Sequence, residues 1–233
     1  MYTLVYTNCI IRNPFSKISP QVEHRHDYVI SQQPSVNDSA SKIWPCVLQH
    51  GKVPPQGVAV FRVDRPNSFY AYALTSNGSP QHGVSVSVHT QKSVQLGRKE
   101  ADGTVTPGSS VQYIVQDGAT DLDANSLPPH GFVNSFEIQT GSDFTSQDAA
   151  SYNFGIGFGD SEKPFAVFRP SPNMTYSFSP TDVYYLNFSD LTQGSLIDVT
   201  QTGQALKIDF TTLESRAARV THNEEGTFIL ESD

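Results

Sequence analysis

The sequence predicts an all-β fold made of antiparallel β-sandwich or β-barrel units. Short apolar runs with a period of two recur along most of the chain, as expected for strands with one buried face. Turn-forming residues separate these runs at 77–80, 117–118 and 141–143, and this spacing favours antiparallel sheets over alternating strands and helices. We predict only short helices, at 143–150 and 212–218, where cap residues or good helix formers occur.

The apolar runs set the predicted strands. In chain order these lie at 4–11, 58–63, 69–74, 84–88, 111–115, 132–138, 165–168, 183–188, 196–199, 205–210 and 227–230. Residues 32–56 are rich in Ser, Pro, Gln and Asn, so we predict a long loop there whose apolar stretch at 43–48 packs onto the body. The glycine-rich segment 155–159 lacks the spacing of a phosphate-binding loop, and we interpret it as a closely packed strand.

Composition and charge limit the class of protein. The chain has 233 residues and a net charge of −8 at pH 7, which disfavours a nucleic-acid-binding role. No stretch approaches the roughly 20 apolar residues of a membrane span. The N-terminal residues lack the basic and apolar regions of a signal peptide, so we expect a soluble cytoplasmic protein, with secretion left open. Cys9 and Cys46 are predicted to be buried free thiols, with a single disulfide as the alternative.

A short internal repeat in the sequence favours a duplicated architecture. Residues 59–62 and 166–169 share the sequence Ala-Val-Phe-Arg, similar Pro-Asn segments follow both, and a weaker upstream match sets the first strand against 133–138. A tandem duplication would give two related β units. We therefore predict a first unit at 1–120, a linker or crossing loop at 121–130 and a second unit at 131–233.

The internal repeat relates Arg62 to Arg169 and makes them candidate ligand-binding residues. If the two units enclose a cleft, both guanidinium groups would face one ligand there. They would then donate paired hydrogen bonds to a carboxylate, a sulfate or sugar hydroxyls. In the alternative interpretation, each arginine ends its strand at the surface and pairs with a local acid.

Aromatic residues supply further candidates for ligand binding. Trp44 is the sole tryptophan and lies in the predicted loop, where its ring would offer a broad apolar face with a polar N–H. Tyr70 and Tyr176 occupy the predicted aromatic strands that follow the two repeated segments. Tyrosine near Asn and Asp residues is typical of sites for sugars. The alternative is that these rings anchor the loop or fill the core.

An acidic segment offers a candidate calcium site. Asp121, Asp123 and Asn125 place oxygen-bearing side chains at alternate positions, as the start of an EF-hand loop does. The pattern is incomplete, because Ser126 stands where such a loop requires Gly and Phe132 stands where it requires Glu. We therefore predict no cofactor other than calcium at these three residues, with a solvated acidic linker as the alternative.

No local catalytic signature occurs in the sequence, which lacks a Gly-X-Ser-X-Gly nucleophile motif and a known catalytic cysteine pattern. The leading hypothesis is a lectin-like binding protein for a carbohydrate or another small polar ligand, without a nucleic-acid partner. An enzyme of the cyclase or isomerase type, with a pocket between two β units, is the first alternative. A self-assembling structural protein, acting as a homo-oligomer, is the second.

Overall fold

The computed structural model describes residues 5–12, 26–32, 34–37, 43–54, 58–65, 68–76, 78–123, 127–158, 163–198, 200–201, 205–213, 217–223 and 227–231. The first twelve strands are β1 (Val5–Arg12), β2 (His26–Gln32), β3 (Ser35–Val36), β4 (Ile43–Pro45), β5 (Val47–Val53), β6 (Val58–Arg65), β7 (Phe69–Ser76), β8 (Val86–Val94), β9 (Arg98–Lys99), β10 (Val105–Thr106), β11 (Ser110–Gln116) and β12 (Ala119–Asp123). The remaining strands are β13 (Phe136–Thr140), β14 (Tyr152–Phe158), β15 (Ala166–Phe168), β16 (Thr175–Ser179), β17 (Val183–Phe188), β18 (Ala205–Asp209), β19 (Ala217–His222) and β20 (Phe228–Leu230).

Among the described residues, four sheets of four or five strands carry the fold, and β9 and β10 form a further two-stranded sheet, which confirms the predicted all-β class. Sheet I has the strand order β12-β11-β13-β16-β3, sheet II β4-β15-β14-β7-β8, sheet III β18-β17-β2-β5 and sheet IV β20-β19-β1-β6. Neighbouring strands in these sheets are antiparallel, except that β1 with β19 and β11 with β13 are parallel. The described residues include one short helix, α1 (Asp148–Ser151), which overlaps the end of the segment predicted at 143–150. None of them forms a helix long and apolar enough to cross a membrane.

The sheets pack in pairs around two apolar cores. Sheets I and II enclose the larger core, where the rings of Phe154, Phe168 and Phe178 contact one another with centroids 4.6 to 5.7 Å apart. Sheets III and IV enclose the second core, which includes Leu186 and Val220. Because alternate residues of each strand point to opposite faces, the side chains between these inward positions form the outer faces of the sandwiches.

The sheet topology does not show the predicted duplication. Each of the four sheets combines strands from both sides of the segment 121–130, so the units 1–120 and 131–233 do not correspond to separate sheets. The two repeated segments also differ in their positions in the sheets, since β6 is an edge strand of sheet IV and β15 is an inner strand of sheet II. β1 pairs with β6, whereas β13, its counterpart in the weaker upstream match, pairs with β11 and β16.

Three element predictions were wrong. One is the strand at 196–199, where Leu196 forms only an isolated bridge with Cys46, residues 197–198 belong to no strand and residue 199 lies outside the described part. The other two concern segments in which strands form instead of the predicted element. The segment 32–56, predicted as a loop, contains β3, β4 and β5. Pro45 is tolerated because β4 is an edge strand, where a missing N–H donor costs little. The second predicted helix, at 212–218, overlaps the start of β19, and its residues 214–216 lie outside the described part. In both places long-range pairing outweighed the local composition.

Cys46 marks the point where the chain passes between the two sandwiches. It is the single residue between β4 in sheet II and β5 in sheet III. Its N–H donates to the carbonyl of Phe165 at 2.8 Å, and the N–H of Val47 donates to the carbonyl of Ser195 at 2.9 Å. The thiol is free and buried, which confirms the prediction for this cysteine, and burial raises its pKa. The side chain of Cys9 lies outside the described residues.

The glycine-rich strand β14 is closely packed, as predicted. A Cβ atom on Gly157 would lie 2.7 Å from Cε2 of Tyr72, and one on Gly155 would lie 2.7 Å from Cδ1 of Leu74. Both neighbouring side chains come from β7, which pairs with β14. The absence of a side chain at these two glycines therefore lets the residues of β7 lie against the strand.

Candidate functional site

The outer face of sheet I is polar across its five strands, and we call it the polar face. The strand register places on it side chains with hydroxyl, amide or carboxylate groups, with Ile114 as an apolar member. From β12 to β3, the polar members are Asp121, Asp123, Ser110, Gln112, Gln116, Glu137, Gln139, Thr175, Ser177, Ser179 and Ser35. This arrangement gives the face many hydrogen-bonding groups in fixed positions.

Glu137 is the buried acid of the polar face, with 3 % of its side chain exposed. Its Oε1 atom lies 3.4 Å from Nδ1 of His130, and Nε2 of Gln139 donates to its Oε2 atom at 3.4 Å. The N–H of His130 donates to Oγ of Ser110 at 3.0 Å, which holds the segment before β13 close to the carboxylate. Burying a carboxylate is costly without such partners.

Residues 130–135, here called the Phe132 loop, place an exposed ring beside this acid. Phe132 is 65 % exposed, and its ring centroid lies 6.1 Å from that of the His130 imidazole, in an edge-on arrangement. A single exposed apolar side chain is common on proteins. This one contacts His130, whose imidazole lies 3.4 Å from the buried carboxylate of the polar face, so the loop and the polar face together present apolar and hydrogen-bonding surface.

Backbone contacts hold the Phe132 loop in place. The N–H of Gly97 donates to the carbonyl of Ser135 at 2.9 Å, while Gly108 and Gly131 exchange two backbone hydrogen bonds of 2.8 and 3.1 Å. A Cβ atom on Gly108 would overlap the carbonyl oxygen of Ser135. The glycines therefore permit a close approach of three backbone segments. A loop fixed in this way loses less conformational entropy when a ligand binds.

The structure places two of the predicted calcium ligands on the polar face. Asp121 and Asp123 lie on β12, so the segment is a strand here and not a loop. Oδ1 of Asp121 accepts a hydrogen bond from the N–H of Leu122 at 2.7 Å. Asn125 lies outside the described residues, within which no group of three or more His, Cys, Asp or Glu side chains could hold a metal ion. Calcium at these residues stays a prediction.

The predicted aromatic residues fall into two groups. Trp44 and Tyr70 lie on the outer face of sheet II, where both are half-buried and pack against a cluster that includes Leu196. Tyr176 is fully buried in the larger core, and its hydroxyl accepts a hydrogen bond from the N–H of Ser171 at 2.7 Å. The structure thus brings Trp44 and Tyr70 onto one face and leaves Tyr176 among core side chains.

The two predicted arginines lie on different sheets. Arg62 is exposed on β6 at the edge of sheet IV, and its backbone N–H and carbonyl both bond to the side chain of Gln49. Arg169 follows β15 of sheet II and is also exposed, with Nε donating to the carbonyl of Ala149 at 2.8 Å. The contact of Arg169 is a local one, as in the alternative interpretation, although its partner is a carbonyl and not an acid.

Sequence reasoning missed Glu137, Gln139 and the Phe132 loop. The predicted strand at 132–138 merged the loop with β13, which begins at Phe136. A signal was present, because Glu137 stands between Phe136 and Ile138, so strand alternation turns its carboxylate away from the core. Asn134, with a φ of 61°, is of a residue type that often marks a turn.

Comparison with known proteins identifies the family. One family model, described as RhiA, matches residues 17–233. The chain belongs to the RhiA family. The RhiA-family region contains every strand from β2 to β20, and so it includes the polar face and the Phe132 loop. No curated protein and no solved structure gives a significant match.

Proposed function

We propose that this RhiA-family protein binds a carbohydrate at the polar face of sheet I. The observation that carries the proposal is the exposed ring of Phe132 beside a face of hydroxyl, amide and carboxylate groups. A sugar ring presents matching surfaces, because its C–H face is apolar and its hydroxyls both donate and accept hydrogen bonds. An aromatic ring serves the first surface, and amides and hydroxyls serve the second.

Each part of the proposed site has a separate role. Phe132 stacks against the C–H face of one sugar ring, with the imidazole of His130 next to it. Gln139 and Thr175 are paired on adjacent strands of the polar face, and they exchange hydrogen bonds with hydroxyls. The backbone contacts of the Phe132 loop hold the backbone that carries the aromatic ring in place before the ligand arrives, which favours affinity.

A glycan-array screen of the purified protein tests the proposal. The array is run once with calcium and once with a chelator, because Asp121 and Asp123 remain candidate calcium ligands. We expect saturable binding to a set of related glycans, and binding that is lost with the chelator would support calcium at these residues. Protein that is folded by circular dichroism and binds no glycan in either condition would overturn the proposal.

Two phenylalanine variants locate the site. Truncating an aromatic residue at the centre of an interface commonly costs about 2 kcal/mol, so Phe132→Ala should weaken glycan binding roughly thirtyfold. Phe188→Ala is the matched control, because it removes a ring that is 47 % exposed on β17 of sheet III. Calorimetry should show unchanged affinity for this control. Equal affinity of the wild-type protein and Phe132→Ala would place the binding site elsewhere.

A further inference from the structure

The polar face carries negative charge without a compensating basic residue on its strands. β3, β11, β12, β13 and β16 contain the carboxylates of Asp121, Asp123 and Glu137 and no Lys or Arg. The register places all three carboxylates on the same face. Asp123 is paired with Gln112, which is paired with Gln139. At a strand spacing of about 4.8 Å, Asp123 lies roughly 10 Å from Gln139.

The amide of Gln139 is oriented by the buried acid. Its Nε2 atom donates to Oε2 of Glu137 at 3.4 Å, and a carboxylate oxygen accepts hydrogen bonds only. The donor end of the amide therefore points toward Glu137, and the carbonyl oxygen is the end turned away from it. A ligand that reaches Gln139 thus meets an acceptor, as it also does at the carboxylates of Asp121 and Asp123.

From this excess of negative charge and of acceptor groups, we infer that the polar face selects saccharides that carry free amino groups over their N-acetylated forms. We also infer that it rejects saccharides that carry carboxylates. The inference rests on the proposed function, which it makes more specific. A protonated amine donates three hydrogen bonds and brings a positive charge to acceptors that bear negative charge. A uronic acid places like charges together, which opposes binding.

Three oligosaccharide probes test the inference by calorimetry in low salt with a chelator present. The probes are a glucosamine hexamer, its fully N-acetylated counterpart and a galacturonic acid hexamer. Two exposed ion pairs at about 0.5 kcal/mol each predict roughly fivefold tighter binding of the glucosamine hexamer than of the N-acetylated one. This preference should shrink as salt is added, since salt screens exposed charges. The galacturonic acid hexamer should not bind.

A charge variant and its matched control assign the preference to the polar face. Asp121→Asn/Asp123→Asn should bind both glucosamine-based hexamers with equal affinity, so the ratio of the two affinities should fall from about five to about one. The control, Asp190→Asn/Asp209→Asn, removes two carboxylates located near and on sheet III, one after β17 and one at the end of β18. Asparagine at 209 keeps the acceptor that Thr211 uses. The control should retain the fivefold preference.

The outcomes separate this inference from the proposed function. Equal binding of the two glucosamine-based hexamers by the wild-type protein, or no binding of the glucosamine hexamer, overturns the inference. If other array glycans still bind in either case, the carbohydrate-binding function stands. If no glycan binds at all, both proposals fail. Loss of the preference in the control as well as in Asp121→Asn/Asp123→Asn also overturns the inference, because the effect would then follow from net charge.

Discussion

Nδ1 of His130 lies 3.4 Å from Oε1 of Glu137, although the imidazole is 72 % exposed and the carboxylate is 3 % exposed. The contact joins a residue of the Phe132 loop to an acid at the centre of sheet I. A buried carboxylate depends on donors or positive charges in its surroundings. His130 therefore contributes to keeping Glu137 in its buried position, and the loop and the polar face are coupled through this pair.

We expect His130→Ala to lower the free energy of unfolding by about 0.5 kcal/mol at neutral pH, because the contact is long and the ring is exposed. Glu137→Gln removes the charge that the imidazole stabilises. In the Glu137→Gln background, His130→Ala should therefore lower the free energy of unfolding by less than half as much as it does in the wild-type protein. Urea unfolding of the four proteins in this double-mutant cycle measures the coupling. The same cost of His130→Ala in both backgrounds would contradict it.

The glycine contact beneath the Phe132 loop gives a second prediction. Gly108→Ala should destabilise the protein by about 2 kcal/mol or more, because the new Cβ atom would overlap the carbonyl oxygen of Ser135. Gly103→Ala is a control of the same chemical size. That position has open space but a φ of +88°, so its cost should be about 1 kcal/mol. Urea unfolding ranks the stability of the two variants by their denaturation midpoints, provided that their m-values are equal.

Similar losses in the two variants would mean that the backbone around the Phe132 loop can shift to admit a side chain at Gly108. The rigid support proposed for Phe132 would then be absent. A glycan-binding measurement on the folded fraction adds a readout, because displacement of the loop should weaken binding in Gly108→Ala and leave it unchanged in Gly103→Ala.

Strands with strict alternation and flanking turns could be predicted from the sequence. β17 (Val183–Phe188) matches its predicted bounds, and β6, β7 and β11 lie where apolar runs predicted them. In these segments the local pattern and the final burial agree, since one face of each strand packs in a core. The all-β class followed from such segments, because it depends on their number and not on how they pair.

Strands whose polar residues are buried could not be predicted. β2 contains Ser31 and Gln32, which are fully buried, and β5 contains His50, whose Nε2 atom lies 2.9 Å from Oδ1 of Asp27. Their sequences lack a clear apolar period because both faces of sheet III contribute to packing, against different clusters. Long-range pairing makes these segments strands, since β2 pairs with distant β17 on one side and with β5 on the other.

The candidate site could be predicted only in part for the same reason. Asp121 and Asp123 were recognised because they lie close together in the sequence. Glu137 gains its significance from β11, β16 and the Phe132 loop, which surround it through long-range pairing. The chain between Asp123 and Glu137 carries no local pattern that specifies this arrangement.

A buried tyrosine gives a prediction on pH dependence. Oη of Tyr28 lies 2.9 Å from Nδ1 of His222 in the second core, and burial raises the pKa of Tyr28 from 10.0 to about 12. The unfolded chain therefore loses this proton first as the pH rises, so stability should fall between about pH 10 and pH 12, by roughly 1–2 kcal/mol. Below pH 10 this contribution is fully present.

Tyr28→Phe tests this dependence, because it removes the titrating hydroxyl. The variant should cost about 1 kcal/mol at pH 8 through the lost hydrogen bond, and its stability should then fall less steeply above pH 10. Tyr185→Phe, on the outer face of sheet III, is the control and should keep the wild-type slope. Urea unfolding at pH 8, 10 and 11 measures the three slopes. An unchanged slope in Tyr28→Phe would assign the alkaline loss to other groups, such as buried Tyr113, whose pKa burial also raises.

The thiol of Cys46 should be unreactive in the folded protein. Burial raises its pKa, and the thiolate is the form that reacts with alkylating reagents. The residue also lies under the Leu196 segment, with which it forms a backbone bridge, so a reagent reaches it only after the two sandwiches separate at this junction. We expect iodoacetamide to label Cys46 at least about a thousandfold more slowly than in urea-unfolded protein. Mass spectrometry of the peptide that contains Cys46 measures both labelling rates. Fast labelling under native conditions would contradict the prediction and show that the junction between β4 and β5 opens locally without global unfolding.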